Sequence, residues 1–279
     1  MKPPSLQKGR EFAVKHLPFR NKRPLVSVIR IEGIIQSGAR MRTAFLSDSA
    51  MSDILDRAFR KGKPKAVALV VNSPGGSPAQ SSLIGTRIRR LADETEIPVY
   101  AFIEDVAASG GYWIAAAADT VYADSCSIVG SIGVVYSGFG FHRLLDKSGI
   151  ERRIYTAGDE KSMLDAFSPE KPADVARLKD IQGQIHELFI AHVKARRGSR
   201  ISDEDLYSGR FWLGQRAAEL GLVDGIAHLE PKMKELFGAR VKFRHYARRR
   251  KIFSSIGSQF TDALINDLEE RAARARYGC

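Results

Sequence analysis

The sequence predicts an α/β protein with a largely parallel sheet and flanking helices. Three observations carry this. Short β-branched runs alternate with longer stretches at helical spacing along the whole chain. One run, AVALVVNS (66–73), is apolar without alternation, the pattern of a parallel strand buried on both faces. Hydrophobic residues are 44 % of 279, enough for one large domain or two small ones.

The elements follow in order. PLVSVIRIEGII (24–35) is β-branched and apolar and reads as a strand. In 43–65 a helix follows, with Ser47 or Ser49 as its N-cap; Ile54, Leu55, Ala58 and Phe59 are at helical spacing, and Gly62 with Pro64 stops it. After strand 66–73 and the turn PGGS, residues 77–94 read as a helix with Pro78 in its first turn. IPVYAFIED (97–105) is the next strand, and Ser109 to Ala118 a buried helix. TVYA (120–123) and SIGVV (131–135) are short strands, HRLLDKSG (142–149) a short helix and ERRIYTAG (151–158) a strand. Residues 172–198 form a long amphipathic helix whose face carries Val175, Leu178, Ile181, Ile185, Leu188, Phe189 and Val193. Residues 202–238 give three short helical pieces broken at glycines, 239–247 a last strand and 254–276 a last helix.

The net charge of +12 belongs to the ends: +6 over residues 1–23, +7 over 238–251 and −1 over 252–279, while 24–237 balances to zero. The reading is therefore a basic arm (1–23), one domain (24–251) and a C-terminal helix (252–279). Basic ends of this kind favour contact with an anionic membrane surface, at roughly 1 kcal/mol per near-surface Lys or Arg. No nucleic-acid motif accompanies the charge, so no specific nucleic-acid partner is expected. Two cysteines, Cys126 and Cys279, argue against a disulfide framework and against a four-ligand zinc site. No apolar run reaches the ~18 residues of a membrane span. The basic N-terminus also lacks the apolar centre of a secretory signal. The expectation is a cytoplasmic or peripheral protein.

Two turns carry chemistry. In VVNSPGGS, Gly75 and Gly76 can leave backbone N–H groups unpaired. In AASGGYW, Ser109 follows a strand and opens a helix, so its hydroxyl meets the N–H of Gly110 and the positive end of the helix dipole. Each has a plain reading alone, a turn and an N-cap. Together, on successive strand–helix units, they bring a serine and two free N–H groups to the carboxyl ends of the strands, as acyl transfer requires. The base is not legible from composition. Among the six histidines none lies in a turn resembling a catalytic loop, and a buried lysine can serve instead. Lys161, before the apolar Met163, Leu164 and Phe167, is a candidate beside the plain reading of a surface lysine in an acidic loop.

NSPGG, ASGGYW, GSIGVV and AGDEKSMLDAFSP, in this order and over roughly residues 25–230, resemble the signal peptide peptidase A family of Ser–Lys proteases. RFWLGQRAAELGLVDGI (210–226) is similar to a further family stretch and reads as structural, with Asp224 ending a short strand. The resemblance implies a Clp protease/crotonase-like fold and an endopeptidase acting on signal-peptide remnants or other unfolded apolar peptides. It implies Ser109 as nucleophile, Lys161 as general base and Ser131 as the residue orienting the lysine. The oxyanion hole would be the N–H groups of Gly110 and Gly76, with Gly75 the adjacent candidate. No metal or organic cofactor is implied. The resemblance also implies a homo-oligomeric ring in which neighbouring chains complete each site. Many members carry an N-terminal membrane anchor, and this sequence reads as lacking one. Tyr112, Trp113, Ile132 and Val134 are expected around the substrate, or else in the core. Two rival readings are a crotonase-like enzyme acting on acyl-CoA esters and a catalytically silent ring scaffold.

Overall fold

The computed structural model describes residues 23–37, 46–158, 160–202 and 205–247. The basic arm up to residue 22 and the expected C-terminal helix lie outside the described residues.

The core is a sheet whose longest members are β1 (Leu25–Glu32), β2 (Ala66–Ser73) and β3 (Val99–Ala108). All eight residues of β2 are buried, which explains its unbroken apolar run. Parallel neighbours need crossovers, and the helices supply them. α1 (Asp48–Arg60) links β1 to β2, and α2 (Pro78–Thr95) links β2 to β3. Ser47 is the N-cap of α1, its hydroxyl accepting from the Ala50 N–H at 3.2 Å. β4 (Thr120–Ala123) and β5 (Ile128–Gly130) both pair with β3, the first along Tyr100–Ile103 and the second along Val106–Ala108. β6 (Phe211–Leu213) adds to β5 antiparallel, β7 (Gly225–Ile226) adds to β4, and β8 (Lys242–Tyr246) adds to β1. The order is β6-β5-β3-β2-β1-β8, with β4 and β7 branching from β3.

Alternate residues of the strands feed two apolar layers. Ile29, Ile31, Leu69 and Val71 face the layer formed with α1, α2 and the buried helix α3 (Gly110–Ala116). Val26, Val28, Ala68, Val70 and Phe102 face the other, which α7 (Leu229–Phe237) covers through Met233. The first layer also receives Phe189 and Val193 of α5 (Pro172–Arg197). Buried Arg197 closes this end of α5: its guanidinium spans both oxygens of Asp224, at 2.8 and 3.1 Å, and donates to the Gly221 carbonyl.

Four expectations need correction. β3 runs on to Ala108, because β5 offers a new edge where β4 stops. The strand expected at 131–135 lies at 128–130, since Ser131 turns the chain with φ +53°. Residues 151–158 form no strand: Tyr155 is 90 % exposed, and none of the described strands pairs with this stretch. The stretch 202–238 supplies two helices, α6 (Gly214–Glu219) and α7, and uses the rest for β6 and β7.

The apolar face expected of α5 is seated only at its far end. No described residue from 133 to 188 is buried. This arm includes the short α4 (His142–Lys147), the exposed Tyr136 and Phe139, and the first half of α5, where Leu188 stands 65 % exposed.

Candidate active site

Ser109 joins β3 to α3 and is held from both sides. Its N–H donates to the Gly130 carbonyl at 2.8 Å, and its own carbonyl accepts from Trp113 N–H at 3.0 Å. Its backbone has φ +51° and ψ −121°, a region that residues with a Cβ avoid. Ser109 occupies the N-cap position of α3, but its side chain makes no capping bond to the helix.

The two glycine turns touch. A Cβ on Gly75 would lie 2.8 Å from the Gly110 nitrogen and 2.9 Å from Ser109 Cβ. Gly76 is pressed onto the Ile35 carbonyl, 2.1 Å from where its Cβ would be. Only glycine permits this approach, which is why each turn needs its Gly pair. The flanking groups are bonded: Ile35 N–H donates to Gly75 O, and Ser77 N–H to Ile35 O. The Gly75 N–H is itself engaged by Ser73 Oγ at 3.2 Å. Among the described residues, the N–H groups of Gly76 and Gly110 have no partner.

A cavity of about 690 Å³ is lined by Gly75, Gly76, Ser109, Ser131, Val134 and His186, with Ile34, Val135 and Tyr207 among the rest; Gly110, next to Ser109, is buried and is not a lining residue. No Asp, Glu, Lys or Arg is among its described lining residues. Burial pushes the Tyr207 phenol up, so it stays neutral. Ser131 is buried at the rim, its N–H donating to the Arg210 carbonyl at 2.6 Å, and like Ser109 it has positive φ. Both serines thus have positive φ and line one cavity, a feature that composition and periodicity do not reveal.

The other expected residues fall elsewhere. Tyr112, Trp113 and Ile132 are buried in the core and do not line the cavity. Tyr112 donates its hydroxyl to the Leu222 carbonyl at 2.7 Å, and Trp113 stacks on Phe189 and His192. Of the four side chains expected around a substrate, only Val134 reaches the cavity. Lys161 sits on the exposed arm, in a turn where its N–H meets the Gly158 carbonyl. It is not among the residues lining the serine cavity in a single chain. The desolvation expected from Met163, Leu164 and Phe167 is absent there: Phe167 is itself 39 % exposed. His186, Ile34 and the Tyr207–Gly209 turn are lining residues that the sequence did not mark. A second cavity, about 480 Å³, lies against Val70 and Phe102 with His228 and Asp124 at its edge, and shares no lining residue with the first. No group of three His, Cys, Asp or Glu side chains among the described residues could hold a metal.

Known proteins agree with this architecture. A 277-residue alignment matches the Na(+)/H(+) antiporter NhaA of Brucella abortus at 44 % identity, covering 93 % of this chain and 38 % of that protein. Serine protease SPPA, chloroplastic, of Arabidopsis thaliana is 32 % identical over 206 residues, covering 73 % of this chain and 29 % of that one. The chain therefore spans well under half the length of both relatives. Among the described residues no helix is long and apolar enough to cross a membrane. A solved mutant of the 1510-N membrane-bound stomatin-specific protease, in complex with a substrate peptide, superposes with a TM-score of 0.50 at 16 % identity, covering 88 % of this chain and 98 % of that one. The shared fold is the Clp protease/crotonase type. The family model described as peptidase family S49 matches residues 92–238, the stretch that holds Ser109, Ser131 and Lys161, and the chain belongs to that family.

Proposed function

We propose that the chain is a serine endopeptidase that cleaves unfolded apolar segments, signal-peptide remnants among them. One observation carries the reading: Ser109 is held in a strained, uncapped turn beside two unpartnered N–H groups, those of Gly76 and Gly110. Ser109 Oγ attacks a peptide carbonyl while a neutral Lys161 amine takes its proton. The two glycine N–H groups receive the oxyanion. The lysine ammonium then protonates the leaving amine, and water, deprotonated by the same lysine, releases the acyl group as a carboxylate. Ser131 orients the lysine. The uncharged cavity wall, with Ile34, Val134 and Val135, favours apolar side chains.

Lys161 is supplied by a neighbouring copy. In one chain it lies exposed on an arm with no buried residue among those described, and it is absent from the cavity lining. The arm's exposed apolar side chains, Phe139 at 81 % and Tyr155 at 90 % exposure, are the surface that assembly into a ring would cover. The basic segments 1–23 and 238–251 give this assembly peripheral contact with anionic membrane. No binding to anionic vesicles at low salt would refute that part.

The test is fluorophosphonate labelling followed by intact mass, on wild type, Ser109→Ala and Lys161→Ala. An adduct on wild type that is lost in both folded variants supports the dyad. Labelling that survives in Lys161→Ala removes the lysine from its role. Mixing the two variants in equal amounts should restore labelling at about a quarter of the sites if the lysine comes from a neighbour. No recovery on mixing would place the pair within one chain.

A further inference from the structure

We infer that His186 is a positioning residue for the serine site, fixing the rim that Ser131 occupies; this rests on the serine-peptidase reading above. His186 Nε2 lies 3.2 Å from the Ile132 carbonyl. A carbonyl only accepts, so Nε2 carries the proton and the tautomer is set. The same imidazole lines the cavity with Ser109 and Ser131.

The peptides around the two serines are each tied down. The Gly130 carbonyl takes the Ser109 N–H, the Ser131 N–H goes to the Arg210 carbonyl, and the Ile132 carbonyl takes His186. Ser131 has φ +53°, and a residue in that state relaxes unless its neighbours hold it. The bond from His186 holds the Ile132–Gly133 peptide, one residue beyond Ser131.

The place of His186 along α5 gives this bond its weight. Phe189, three residues on, and Val193 are the seated part of the helix. His192 anchors that part again through Nε2 to the Trp113 carbonyl at 3.0 Å. N-terminal to Phe189, no α5 residue is buried. His186 thus stands where the seated half of α5 meets the unseated half. Through it, the unseated half of α5 is tied to the Ile132–Gly133 peptide beside Ser131.

The experiment uses full-length protein as wild type, His186→Ala, His186→Leu and His186→Gln. Leu keeps bulk without a donor, and Gln keeps an N–H donor at comparable reach. Two readouts are taken: amide hydrogen exchange of residues 131–134, and the rate and KM of Ser109 acylation. The expected result for Ala and Leu is at least about tenfold faster exchange at the rim and about tenfold slower acylation at unchanged KM. Gln should recover most of both. Unchanged exchange in Ala and Leu would overturn the inference, as would a change in KM alone or a Gln variant that behaves like Leu. The two readings separate cleanly. If wild type never labels while rim exchange still responds and recovers, the peptidase reading falls and the positioning stands. If wild type labels and the variants match it, the positioning falls and the peptidase reading stands.

Discussion

Replacing Ser109 by glycine and by alanine measures the strain at the site directly. Alanine keeps the Cβ and with it the clash at φ +51°, ψ −121°. Glycine removes it, relieving about 1–3 kcal/mol. Glycine also loses about 0.5–1 kcal/mol relative to alanine through unfolded-state entropy. The net expectation is that Ser109→Gly is the more stable of the pair by up to about 2 kcal/mol. At an ordinary position the sign would be reversed. At roughly 2–4 °C per kcal/mol for a chain of this order of size, the melting temperatures should differ by a few degrees. Neither variant has a nucleophile, so function cannot confuse the comparison. Urea denaturation of both proteins is the assay. An alanine variant more stable than the glycine one would mean that the turn stores no strain, and the argument from backbone geometry to Ser109 would fail.

Further expectations concern the oxyanion turn, the buried pair, the histidine anchor and the arm. Gly76→Ala places a Cβ 2.1 Å from the Ile35 carbonyl, so the turn must shift; fluorophosphonate labelling should slow by about 10²-fold or more. Asp224→Ala leaves Arg197, 1 % exposed, without its partner, and should cost about 3–5 kcal/mol in chemical denaturation, whereas Asp224→Leu with Arg197→Met should recover most of it. Burial alone would raise the Asp224 carboxyl, but the bonds from Arg197 and the Val121 N–H outweigh it and hold it below the usual range. Its contribution is thus present above the unfolded carboxylate value and is lost as pH falls through the lower folded one. His192 runs by the opposite protonation: burial pushes it down, against the bond to Trp113, so the unfolded chain takes up a proton first as pH falls below about 6.5. Stability should therefore decrease on acidification from there until the folded value is reached, and His192→Gln should flatten that slope in denaturation curves. Phe139→Asp, on the exposed arm, should shift sedimentation toward single chains and reduce labelling in parallel.

The central strands were legible because their chemistry is redundant. β2 is apolar at six successive positions, Ala66–Val71, and punctuated by Pro64 and the PGGS turn, so both strand and limits follow. A serine cap at Ser47 or Ser49, Pro78 in the first turn of α2 and the two glycine turns were equally readable, and the structure takes Ser47. Pairing partners were not. Whether Val134 and Val135 join a strand depends on an edge alongside, and the backbone reversal at Ser131 denies them one. Tyr112 and Trp113 illustrate the other blind spot. An aromatic next to the Ser109 turn can face the cavity or the core, and only the direction in which α3 leaves Ser109 decides it. His186 carried no local signal, since its role comes from where α5 crosses the Ser131 rim.

The unburied arm from 133 to 188 has a kinetic consequence. If each serine waits for a lysine on the next copy, a freshly made chain is inert by construction. Specific activity then rises with concentration instead of staying flat, and dilution alone switches the enzyme off. Synthesis and turnover of the protein would set a threshold for proteolysis, with no separate inhibitor or pro-segment required.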